Sequence, residues 1–137
     1  MPHDPELVAE TRSWLVKGKM DLDAAAFELT AVPPFTGDVV FHTQQAVEKA
    51  FKGFLTWHST PFRKTHNLEE IGQSCVEIDA TLQAFVDRAV PLTKYAWKYR
   101  YPGEPEEPTR DEADGALALA RGVYEAILAC LPEEVQP

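Results

Sequence analysis

The sequence holds little that would carry redox, metal or membrane chemistry. It has two cysteines, Cys75 and Cys130. Each stands in an apolar helical context, which predicts a small packed side chain rather than a disulfide or a redox pair. No Cys and His residues stand at metal-ligand spacing, and His42 and His58 are too far apart to share a helical face, so no metal is expected. There is no glycine-rich phosphate loop and no paired-carboxylate motif on a shared face, and no cofactor is expected. No apolar run approaches the roughly 20 residues that cross a bilayer. The opening Met1-Pro2-His3-Asp4-Pro5-Glu6 has no basic region followed by an apolar one, so no signal peptide is expected and a cytoplasmic protein is the natural reading. Ser13, Ser59 and Ser74 lack an elbow motif, and neither cysteine has a basic partner in sequence, which leaves no nucleophilic triad. No run alternates at period two for long enough to be a strand.

What is present is helical periodicity. The chain has 137 residues, 45% of them hydrophobic and 10% aromatic, enough for one domain (1–137) with a real core. A first helix starts at Asp4, with Asp as cap and Pro5 at the first helical position, and stops before Val32-Pro33-Pro34. A second runs from about Asp38 to His58. Asn67 with Glu70 resembles a capping box for a short helix to about Val76. Asp79 caps the next stretch, which reads as one kinked helix or two abutting helices around Pro91, ending near Tyr99. Glu104 to Pro108 reads as an exposed acidic loop. Thr109 with Glu112 caps the last helix, and 132–137 reads as a frayed tail. The expected fold is all-α: an up-and-down antiparallel bundle of four long helices and one short one.

Net charge is −9, which argues against long nucleic acid. The distribution says more than the sum. From Arg88 to Gly103 there is no acid, while Arg88, Lys94, Lys98 and Arg100 are present. From His42 to His66 the only acid is Glu48, against Lys49, Lys52, Arg63 and Lys64. One local basic patch on an acidic protein suits a nucleotide or a short RNA segment.

Three places concentrate donors. On the second helix His42, Gln45, Lys49 and Lys52 recur three and four apart, and at about 100° per residue they share one side. An imidazole, an amide and two ammonium groups suit a phosphate or a base edge; a plain solvated face would mix Glu with Lys. In Lys94-Tyr95-Ala96-Trp97-Lys98-Tyr99-Arg100-Tyr101 aromatics and cations interleave, so a base can stack while Lys98 and Arg100 hold phosphate. The plainer account is cations favoured at a helix C-terminus, with Tyr95 and Tyr99 in the core. Third, Arg63 and His66 precede a helix N-terminus, where an anion can bind or where Thr65 and Asn67 simply cap.

Phe41-His42-Thr43-Gln44-Gln45-Ala46-Val47-Glu48-Lys49-Ala50-Phe51-Lys52 resembles the FHxQQAxEKxxK signature of prokaryotic HEPN domains. Thr65-His66-Asn67-Leu68 and the turn Tyr99-Arg100-Tyr101-Pro102-Gly103 resemble further segments of that family, and Trp14-Leu15 with Asp21-Leu22 resembles its first helix. The resemblance implies a helical bundle that commonly dimerises and interacts with a nucleotide or RNA. It often stands beside a minimal nucleotidyltransferase, in a pair of toxin–antitoxin type. Many such proteins are metal-independent ribonucleases using an Arg followed four to six residues later by His. None of Arg12, Arg63, Arg88, Arg100, Arg110 and Arg121 has a His at that distance, so the usual general acid/base is missing. The expectation is a nucleotide- or RNA-binding domain. The alternatives are a ribonuclease toxin using His42 or His66, and a non-catalytic dimerisation or interaction module.

Overall fold

The structure, a computed structural model, describes residues 3–103 and 106–137. All its regular elements are helical, as the periodicity predicts. Helix α1 spans Pro5–Leu29; the Asp4 carboxylate caps it by accepting the Glu6 N–H at 3.0 Å. Pro33 and Pro34 follow the helix in the connector to α2, Thr36–Trp57. Helix α2 begins two residues earlier than the sequence suggests, because no side chain caps it to mark the start.

Asn67 accepts the N–H groups of both Glu69 and Glu70 and starts α3, Leu68–Ile78. Asp79 accepts the Thr81 N–H, and a 3-10 turn at Ala80–Leu82 leads into α4, Gln83–Ala89. The backbone then tightens to a 3-10 helix, Val90–Ala96, with Pro91 in its first turn. Of the two readings of this stretch, abutting segments are what forms. Proline has no N–H for the i−4 carbonyl, so the α ladder cannot run through it. The helical run stops at Ala96 rather than Tyr99, and Tyr99 has φ 67°, a left-handed conformation that turns the chain. Helix α5, Arg110–Ala129, is capped by Thr109, whose hydroxyl accepts the Glu112 N–H at 3.1 Å.

Glu104 and Pro105 of the expected acidic loop lie outside the described residues; Glu106 and Glu107 are exposed, while Pro108 is buried. The expected frayed tail is instead packed. Glu133–Val135 forms a 3-10 turn with Val135 fully buried, and the Gln136 amide donates to the carbonyls of Leu128 and Leu131. Burying one apolar side chain and satisfying the carbonyl of Leu128 at the helix end and that of Leu131 just beyond it hold this segment down. The cysteines also differ from each other: Cys75 is buried, whereas Cys130 is half-buried with its thiol on Asp79.

Helix α2 is the centre of the molecule. It packs on α1, α3, α5 and the 3-10 segment after α4. Leu15, Val39, Val40, Val47, Phe51 and Leu55 are fully buried around it. Because α2 is enclosed on so many sides, polar residues are buried with it: Thr43, Gln44, Glu48 and Lys52. Among the described residues no helix is long and apolar enough to cross a membrane.

Candidate functional site

The polar side of α2 faces α1, and α1 answers it with acids. Trp14, Asp21 and Glu28 recur every seven residues, which keeps them along one edge of that helix. His42 sits between two of them, Nδ1 at 2.9 Å from Asp21 and Nε2 at 3.2 Å from Glu28. With an acceptor at each ring nitrogen the imidazolium is the fitting form. The hydrogen bond to Asp21 pushes its pKa up from the ordinary histidine value, against the opposing effect of burial. Lys49 donates to the other oxygen of Asp21 at 2.6 Å. Burial pushes the Glu28 carboxyl up, although His42 draws it down.

One turn on, a second cluster forms around Glu48. Lys52 donates to Glu48 Oε2 at 3.0 Å and is only 7% exposed. Its ammonium lies 5.7 Å from the Trp14 ring centre and 5.6 Å from that of Phe62. The other Glu48 oxygen accepts from Gln44 at 3.1 Å and faces His66 Nδ1 at 2.7 Å. Gln45 donates to Gln44 Oε1 at 2.7 Å. The donor stripe therefore divides. His42 and Lys49 meet Asp21, Lys52 and His66 meet Glu48, and Gln45 joins through Gln44. Lys52 is buried beside two aromatic rings with its ammonium on Glu48.

The turn after α4 is arranged differently. The Arg100 guanidinium lies 3.8 Å from the Phe41 ring centre and reaches Asp38 at 3.2 Å. Lys98 lies over Tyr99 and Lys94 over Tyr95, at 5.0 and 5.3 Å from the ring centres, and the two tyrosines stack. Among the described residues no carboxylate stands within ion-pair distance of Lys94 or Lys98. Beside these cations Trp97 is 54% and Tyr101 73% exposed. Cations without acids and aromatic faces in water are the two components of a single-strand platform.

The third place is closed to an anion at its helix end. Leu68 N–H goes to the Thr93 hydroxyl, Glu69 and Glu70 N–H to Asn67, and Ile71 N–H to the Asn67 carbonyl. Arg63 pairs with Glu70. Arg63 and His66 are close in sequence but have separate partners, Glu70 and Glu48.

Sequence reasoning had no roles for Asp21, Glu28, Asp38, Phe41 and Glu48. Glu48 carries a local signal, four residues before Lys52 on the same helix. The others meet their partners only through the α1–α2 pairing and the turn, and no spacing announces that. Among the described residues no group of His, Cys, Asp and Glu is arranged to hold a metal ion. A family model described as HEPN domain matches residues 11–131. No curated protein and no solved structure matches the chain.

Proposed function

The chain belongs to the HEPN domain family, and from that premise we propose that it binds a short single-stranded RNA or a nucleotide through the turn after α4. Lys94, Lys98 and Arg100 engage phosphate, and Trp97 and Tyr101 stack on bases. The observation that supports this reading is a contrast in pairing. The cations of α2 are matched by Asp21, Glu28 and Glu48, whereas among the described residues no carboxylate pairs with Lys94 or Lys98, and the nearby rings of Trp97 and Tyr101 are exposed. His42, Gln45 and Lys49 act as the floor that fixes α2, and with it Phe41 under Arg100. The domain works with protein partners: a second copy of itself and a minimal nucleotidyltransferase, in a pair of toxin–antitoxin type.

Titration of a short single-stranded RNA, followed by calorimetry, tests the binding. Saturable binding is expected, with log K falling against log salt at a slope of about −2 for three phosphate contacts. Arg100→Ala should weaken it and reduce the slope by about 0.7. Absence of saturation at millimolar RNA, or a slope unmoved by Arg100→Ala, contradicts the proposal.

A second reading has one observation in its favour. His66 turns Nδ1 onto buried Glu48 while its side chain is 61% exposed, which leaves Nε2 toward solvent as a general base. His42 has both nitrogens on carboxylates and is not free for that role. The ribonuclease reading predicts cleavage of the same RNA in excess chelator, lost in His66→Ala; intact RNA after long incubation removes it.

A further inference from the structure

We propose that the groove between the 3-10 segment after α4 and helix α5 takes one base of the bound strand, and that Glu112 selects guanine there. The inference rests on the RNA reading above. It adds a base preference through Glu112 and Gly115, which that reading leaves unused.

The groove has a volume of about 200 Å³. Sites for drug-sized ligands begin at roughly 300 Å³, so this one suits a single ring system. Pro91, Leu92, Ala116 and Leu119 give it apolar walls. Gly115 lines it from α5, in a helix interior where glycine is unfavourable. A Cβ there would meet nothing within 4 Å, so the missing side chain leaves the groove open and admits no neighbour from within the chain. Lys94 lines the groove and also belongs to the cations of the turn, which makes the two places continuous. Arg88 lines it as a second cation.

Glu112 stands three residues after the Thr109 cap, where a glutamate ordinarily reaches back to the cap N–H. Here its Oε2 accepts the Tyr95 hydroxyl instead. Burial, and then the bond to Glu112, pushes the Tyr95 pKa up, so the phenol keeps its proton and holds the carboxylate. Among the described residues Oε1 has no hydrogen-bond partner. Among them, too, no cation pairs with Glu112, although Arg88 and Lys94 line the same groove. A carboxylate held at one oxygen and open at the other offers acceptors only, and Oε2 keeps a lone pair beside the tyrosine. Guanine alone presents two adjacent donors on its Watson–Crick edge, the ring N1–H and the amino group, and these match a carboxylate bidentately. Adenine and cytosine set a ring acceptor next to the amino group, and uracil flanks its N3–H with two carbonyls. Each of those edges turns a lone pair onto Glu112. Phosphates flanking the base meet Arg88 and Lys94, which offset the charge of the carboxylate.

Short oligouridine strands with one central residue varied test the preference by calorimetry. The guanosine strand should bind about tenfold tighter than the adenosine strand, the effect of one bidentate contact. Adenosine is the control because it stacks on an aromatic ring as well but carries the wrong edge. Glu112→Gln keeps an acceptor for Tyr95 and should bring the two strands together. Gly115→Leu fills the groove and should do the same; the position is exposed and its Cβ has room, so the fold tolerates it. Both variants should bind plain oligouridine as the wild type does. Equal affinity for the guanosine and adenosine strands in the wild type overturns the base preference and leaves the RNA reading standing. So does a guanosine advantage that survives either variant. If no strand saturates at millimolar concentration, the RNA reading fails and the preference falls with it.

Discussion

Glu48 is 4% exposed and holds Lys52, Gln44 and His66 at once. A carboxylate so placed is costly to bury and costlier to remove, because Lys52 would keep its charge inside without a partner. Glu48→Ala should cost about 3–5 kcal/mol in urea unfolding. The double change Glu48→Leu with Lys52→Met, which removes both charges, should cost much less. Equal losses in the two variants would show that the pair is not the source of the penalty. His42 makes a pH prediction. Its folded pKa lies above the unfolded value of about 6.5, because Asp21 holds the imidazolium. The contribution is thus complete below about pH 6.5 and is lost as pH rises through the folded value. Glu28 acts in the same direction, since burial raises its carboxyl pKa and penalises its charged form. An NMR titration should place the His42 midpoint above the ordinary histidine value, and Asp21→Asn should bring it down. A midpoint at or below that value would show that the Asp21 bond does not form.

At the scale of elements, caps and breaks were legible because they are local chemistry. Asp4, Asn67, Asp79 and Thr109 each accept the N–H groups their positions predict. Helix α2 has no side-chain cap, and there the expected start was late. The 3-10 segment after α4 was legible as a break at Pro91 but not as a change of helix type, which depends on how the segment meets α2 and α3. Helix α3 approaches α4 closely at Gly72, where a Cβ would lie 2.5 Å from a Val86 methyl carbon. Gly72→Ala should destabilise the protein by about 1–3 kcal/mol through overpacking, despite alanine's better helix propensity. A thermal melt at or above wild type would show that the two helices part without cost.

For the whole molecule, the sequence located the basic patch within an acidic chain but could not divide it. His42, Lys49 and Lys52 read as free donors because their acids, Asp21 above all, lie a helix away or one turn along on an enclosed face. Trp97 and Tyr101 were visible as aromatics, yet only the left-handed turn at Tyr99 and the end of the helix at Ala96 set them in water. The central claim is that ligand meets the turn after α4 and not the stripe on α2. The most direct measurement leaves Trp97 as the only indole, by replacing Trp14 and Trp57 with Phe, and follows its fluorescence during titration with single-stranded RNA. The account predicts saturable quenching or a spectral shift at Trp97 that Tyr101→Ala weakens. A Trp97 signal that stays flat while calorimetry records binding would contradict it.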